Sequence, residues 1–246
     1  MIREKNVKEE WDNLASLFDT ENRDEAVRAA RRNLQKPDGA DWQWLASSLE
    51  DDGKKWFVAA VFHDYPVPKQ LFADFLDAAI NETNPSFNRQ FIEPCVKSTG
   101  HRVVNEYLLS IVEGDDNTKI AGAVAALYWA NMQIRFAGNV PQYTLQYATP
   151  MSQEAFMALH DVWQRKRDTF LRVFVNNEDV TVRRQIIPSL KLDESAYPDG
   201  LKPLVQRAVE IARNHPDDYI RHRVEVQLGN ERLLRPIPER QPPATE

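Results

Sequence analysis

The chain has 246 residues, of which 42% are apolar and 28% charged, and its formal net charge is −6. That acidic balance argues against a general nucleic-acid binder with a broad basic surface, and 8 glycines leave little room for a glycine-rich nucleotide-binding fold. The one cysteine, Cys95, excludes an intramolecular disulfide and a Cys-rich zinc site; with no apolar segment at Met1–Asn6 and no long apolar run, a cytoplasmic protein is expected.

Apolar residues at helical spacing predict a first helix from Val7 to Phe18, with Trp11, Leu14, Leu17 and Phe18 on one side. Thr20 is placed to cap a second helix, Glu21 to Leu34, in which Ala26, Val27, Ala30 and Leu34 share a face. Pro37-Asp38-Gly39 breaks the pattern, and Asp41 is expected to cap a helix from Trp42 to Leu49. Beyond the turn Asp51-Asp52-Gly53 its partner runs from Lys54 to His63. Pro68 suits the first turn of the next helix, which carries Leu71, Phe75, Leu76, Ala79 and Ile80. Asn84-Pro85 starts a partner through Lys97 with a kink at Pro94, and Gly100 closes it. His101 to Val112 and Asn117 to Asn131 form the next pair. The stretch Ile120 to Ala130 is apolar nearly all round, so it should be the most buried, with Gly122 admitting a neighbouring backbone.

From 136 to 151 the helical period stops. This segment holds two prolines, and Tyr143, Leu145 and Tyr147 alternate with polar residues. It reads as an inserted loop with a short extended piece, and loops of this length in compact arrays are often functional. Ser152 then starts a long helix reaching Val175. Further helices are predicted at Val180 to Leu190, Pro203 to Arg213 and Tyr219 to Leu228, the last ended by Gly229. One domain is expected over 1–234, followed by a proline-rich disordered tail at 235–246.

A phrase recurs through this helical text. An acidic or Asn-rich turn is followed by a basic residue, an apolar or small residue three later, and another seven later. The basic residues are Lys55, Arg89, Lys119, Arg183 and Arg221, separated by 34, 30, 64 and 38 residues. With the 64-residue step read as two units across the inserted loop, the period is about 33 residues, that of an α-solenoid. Val58, Ile92, Gly122, Ile186 and Val224 lie three on, and Phe62, Val96, Ala126, Leu190 and Leu228 seven on. They form one buried stripe, while the turn carboxylates and amides accept the first free helical N–H groups. A ladder of Asp–Arg contacts between units is the expected result.

Residues 177–190 and 215–229 carry a resemblance to the second helix of a HEAT repeat. The resemblance implies an all-α fold, a right-handed α-solenoid of about six antiparallel helix pairs. In that HEAT-like family the second helices line a concave face, and the phrase's Asp and Arg are structural. Weaker resemblance extends back to about Asp41.

No coherent catalytic set accompanies the repeat. Two His-Asp dipeptides, His63-Asp64 and His160-Asp161, follow apolar runs, and a metal-dependent hydrolase of HD type would need such a pair with further ligands, His101 and Asp217 being the candidates around His160/Asp161. The glycine that often follows the pair in that family is absent. A HEAT-like nucleic-acid-binding protein or DNA glycosylase would need a basic concave face with aromatics, against which the net charge argues. The reading chosen is therefore a non-catalytic scaffold or adaptor that binds a protein or peptide on the concave helical face. Lys55, Asn88, Arg89, Lys119, Arg184 and His222, with Tyr143 and Tyr147 of the inserted loop, are the expected binding residues. Arg183 and Arg221 are expected to be structural, Cys95 to be buried and inert, and no metal or cofactor is expected.

Overall fold

The computed structural model describes residues 7–229, so the expected tail at 235–246 lies outside the described residues. Among these there are twelve α-helices and no strand. The chain divides into two compact units, Met1–Val162 and Trp163–Glu246. The first contains α1 (Val7–Phe18), α2 (Arg23–Asn33), α3 (Gly39–Leu49), α4 (Lys55–Phe62), α5 (Phe72–Asn81), α6 (Arg89–Val112), α7 (Asn117–Leu127) and α8 (Pro150–Met157). Helix α9 (His160–Asn176) begins at the division, and α10 (Val180–Ile186), α11 (Lys202–Arg213) and α12 (Asp218–Gln227) follow.

In the first unit helices α1 to α7 pack on neighbours in the chain and on helices two places along. Helix α1 meets α2 and α3, α2 meets α4, α3 meets α4 and α5, α4 meets α6, and α5 meets α6 and α7. The core that results is threaded by aromatic rings. Trp11 stacks on Trp44 with centroids 5.3 Å apart, and both set an edge against Phe57. Phe62 meets Phe75 at 5.4 Å, and Phe75 meets Phe91 at 6.3 Å. Such ring pairs add roughly 0.5–1.5 kcal/mol each beyond the area they bury. The indole N–H groups are satisfied across the pair, Trp11 donating to Asp41 (2.6 Å) and Trp44 to Asp12 (3.2 Å). In the second unit α12 packs on α10 and α11, over a core that includes Val182, Ile186, Val205, Ala208, Ile220 and Val224.

The Asp-rich turns act as caps. Asp116, Asp179 and Asp217 each accept backbone N–H groups at the starts of α7, α10 and α12. Helix α3 differs from expectation. Its cap is Asp38, and Asp41 is the N3 partner that returns a bond to the Asp38 N–H, so the helix begins at Gly39. This capping box satisfies two free donors, which one cap at Asp41 would not. Thr20 does not cap α2 either. Its hydroxyl donates to the Leu17 carbonyl and accepts from the Asn22 N–H, closing the turn after α1.

Helix α6 joins two predicted helices into one run, and its break falls where the sequence puts it. Gly100 has φ 85° and ψ 164°, a conformation open mainly to glycine, while Pro94 upstream keeps helical angles. The departure from helical angles within this run therefore falls at Gly100 and not at Pro94. The long helix expected from Ser152 to Val175 is two, α8 and α9, separated at Ala158–Leu159. Thr149 caps α8, with Pro150 in its first turn. The segment 136–151 has one antiparallel bridge, between Phe136 and Ala148, and a 3-10 turn at Leu145–Tyr147 flanked by extended residues Thr144 and Ala148.

Of the glycines, Gly122 makes the closest approach to a neighbouring helix. A Cβ built there would lie 2.0 Å from the Ile80 carbonyl oxygen of α5, whereas one at Gly39 would meet nothing within 4 Å. Gly122→Ala should therefore lower unfolding stability by about 1–3 kcal/mol or more, the usual cost of overpacking. Gly39→Ala should leave it unchanged or raised by about 0.4–1 kcal/mol, because it stiffens the unfolded chain. Urea denaturation of both variants checks the contrast.

Candidate functional site

A groove opens on the first unit between α2, α4 and α6. It has two lobes of about 360 Å³ each, which share Arg23, Ala60 and Gln90. The apolar lobe is walled by Phe18, Trp56, Ala59 and Phe87. Phe87 is 50% exposed, in the turn that leads into α6, and its ring meets the edge of Trp56 at 5.5 Å. The small side chains of Ala59 and Ala60 leave depth between the two walls. The polar lobe is lined by Asp24, Val27, Arg28, Arg31, His63 and Asp64.

The groups of the polar lobe are unequally engaged. Arg31 donates to the carbonyls of Val61 (2.8 Å) and Ala60 (3.3 Å), and so closes the end of α4. Asp64 is bound by His63 (2.8 Å) and Lys97 (3.5 Å), and these contacts hold its carboxyl below the ordinary value. Arg23 lies over the Phe18 ring at 4.2 Å. Arg28 is exposed on α2 and forms no ion pair among the described residues.

The aromatic and cationic pairing continues along the same helices. Arg89, at the start of α6, pairs with Glu93 (2.7 Å) and sits 5.4 Å from the Trp129 ring. Trp129 donates to the Pro85 carbonyl (2.7 Å) and meets Tyr128, which is 67% exposed just beyond α7.

The structure distributes the predicted site residues unevenly. Arg89 belongs to this row, and Lys119 is exposed on α7. Lys55 lies away from the groove, in a cleft of about 350 Å³ with Glu50, Asp52, Asp74 and Asp77, where it is held by Asp52 (2.6 Å) and Glu82 (3.0 Å). Asn88 is fully buried at the start of α6, with neither amide atom bonded, so it offers nothing to a surface ligand. Tyr143 and Tyr147 are exposed on the inserted loop, Tyr143 with its ring 5.1 Å from Phe136.

In the second unit Arg184 carries the inter-helix ladder that the sequence assigns to its neighbour. It pairs with Asp217, the cap of α12, at 3.1 Å and lies 5.1 Å from the Tyr219 ring. Arg183 is buried, donates to the Phe174 carbonyl (3.1 Å), and contacts the Phe174 ring. Arg221 donates to the carbonyls of His215 and Pro216 and pairs with Asp218. His222 is exposed on α12.

The carboxylates of both His-Asp pairs are engaged by basic side chains. Asp161 is gripped by both terminal nitrogens of Arg102, at 2.7 and 2.8 Å, which holds its carboxyl down to about 2. His101 contacts the Ala130 carbonyl (2.9 Å), and Asp217 is the α12 cap. No group of three or more His, Cys, Asp or Glu suited to an ion occurs among the described residues. Burial pushes the Cys95 thiol up to about 12, far from a reactive thiolate. Among the described residues no helix is long and apolar enough to cross a membrane. Comparison with family models, with curated proteins and with solved structures gave no match for this chain.

Arg23, Arg28, Trp56, Phe87 and Gln90 were not among the residues that the sequence nominated. The sequence reads Phe87 as part of the helix starting at Asn84-Pro85, four residues before Phe91, whereas the structure leaves it in the turn before α6, half exposed. Trp56 follows the phrase's basic residue and falls off the 58/62 stripe, a hint that it lines a surface.

His215 supplies a pH test of the second unit. It is buried, its Nδ1 accepts the Asp217 N–H at 3.1 Å, and burial together with Arg183 and Arg221 lowers its pKa against the smaller opposing effect of Asp217. The unfolded chain takes up a proton near 6.5, whereas the fold resists it to lower pH because protonated Nδ1 cannot accept. This contribution is complete above 6.5 and drains away as pH falls through that value towards the folded one. Thermal midpoints measured from about pH 8 to pH 5 should fall less steeply for His215→Asn than for the parent chain.

Proposed function

We propose that this chain is a non-catalytic, cytoplasmic binding scaffold built from HEAT-like helix pairs, right-handed and about six in number. It holds a protein or peptide on the row of second helices α2, α4, the first half of α6, and α7. The observation that carries this reading is the row itself. In the first unit, alternate helices pack on alternate helices, and the second helices and the turns at their ends bear Trp56, Phe87, Trp129 and Tyr128 beside Arg23 and Arg89. Phe87 and Tyr128 are well exposed, although each ring would be more stable out of water. Exposed aromatics flanked by arginines are the side chains that dominate binding energy at protein interfaces.

The scaffold reading is tested by capture from native lysate on immobilised protein, followed by mass spectrometry. The double variant Phe87→Glu/Tyr128→Glu should lower capture of the enriched proteins about tenfold, a change of roughly 1.4 kcal/mol. Val103→Glu, an exposed apolar position beyond Gly100, should leave capture intact. Equal capture by all three proteins would remove the row from consideration. Turnover of phosphate esters by metal-loaded protein would replace the scaffold reading with the hydrolase one.

A further inference from the structure

We propose that the groove between α2, α4 and α6 takes a linear acidic peptide segment. One bulky apolar side chain enters the Phe18/Trp56/Phe87 lobe, and neighbouring carboxylates lie against Arg23 and Arg28. The inference rests on the binding reading above and narrows it to one site and one ligand class.

Shape selects the apolar anchor. A lobe of about 360 Å³ walled by three aromatic rings and floored by alanine accommodates one large side chain and is too small for a folded surface. Charge selects what flanks the anchor. Arg31 is committed to backbone carbonyls, and Asp64 is already answered by His63 and Lys97. The open charges of the polar lobe are then Arg23 and Arg28 against Asp24, an excess of positive charge on a chain whose formal net charge is −6. Carboxylates placed there find guanidinium partners in Arg23 and Arg28, and arginine suits them because its planar fork matches a carboxylate in two bonds. Gln90 stands where the lobes meet, and its side-chain amide can both donate to and accept from an extended peptide backbone. A single-stranded nucleic acid could also stack on the rings. It would need a cationic track along its phosphates, and here Asp24 and Asp64 line the same lobe.

The test is selection of a displayed library of random linear peptides on the full chain. The enriched peptides are then synthesised and their affinities measured by fluorescence anisotropy. Enrichment of Asp or Glu beside Phe, Trp or Leu is expected. Affinity should fall about tenfold for Arg28→Glu and for Phe87→Ala, and it should weaken as salt is raised. Arg28 is exposed and has no ion pair among the described residues, so Arg28→Glu should fold, which circular dichroism melting verifies; the milder Arg28→Gln should give an intermediate loss. Basic or uncharged peptides, no enriched peptide at all, or acidic peptides indifferent to both substitutions would overturn the assignment. So would displacement of the peptides by a single-stranded oligonucleotide. Peptides lost with Tyr128→Glu but not with Arg28→Glu would sink this groove and leave the scaffold reading standing.

Discussion

The first unit depends on one close approach, that of α7 to α5 at Gly122. The backbone of α7 passes so near the Ile80 carbonyl that no side chain fits between them. Helices held at that separation lose the usual layer of interdigitating side chains and make their contacts through backbone and small residues instead. The alanines of α7 serve this geometry, with Ala121, Ala123 and Ala126 all buried. Helix α6 packs on both α5 and α7, so its position follows from theirs. The end of α7 in turn sets Trp129 to bond the Pro85 carbonyl, which fixes the turn carrying Phe87. A constraint deep in the core thus reaches the exposed wall of the groove through a chain of direct contacts.

Much of this was legible in the sequence, because the signals were local. Caps at Asp116, Asp179 and Asp217 follow from a carboxylate placed just ahead of an apolar stripe. Gly100 marks a helix end because its conformation suits glycine alone, and Gly122 reads as a close approach because small residues surround it. The misses have physical causes of equal clarity. Asp38 and Asp41 are both good caps, and only the reciprocal box decides that the helix starts at the earlier one. The break at Ala158–Leu159 was hidden because the apolar pattern continues through it, with Leu159 and Val162 both buried.

The site was much less legible than the fold. Arg183 and Arg184 are adjacent, about 100° apart on their helix, and the sequence gives no means of saying which faces α12. Packing turns Arg183 inwards to the Phe174 carbonyl and leaves Arg184 to bond Asp217. Lys55 occupies the same place in the repeating phrase as Arg89, yet an acidic cleft captures the one and an indole ring the other. Identical positions in a repeat therefore diverge once their neighbours differ. The groove draws on α1, α2, α4 and the turn before α6, elements that no single stretch of sequence shows together.

Charge and shape together suit this groove to a ligand. Several cations of the unit are already matched. Lys54 meets Asp12, Lys55 meets Asp52 and Glu82, Arg89 meets Glu93, and Arg102 meets Asp161. An exposed pair of this kind contributes only about 0–1 kcal/mol to stability. Its larger effect is to leave such a cation no net attraction for an outside anion. Among the described residues Arg28 has no ion-paired carboxylate, and the shared residue Arg23 is engaged by a ring, whose face stabilises the guanidinium without neutralising it. The positive charge that survives beside the aromatic lobe is therefore local and short in range. In a chain of net charge −6 it discriminates at contact, where an acidic segment with an apolar anchor finds both partners at once, and long-range steering contributes little.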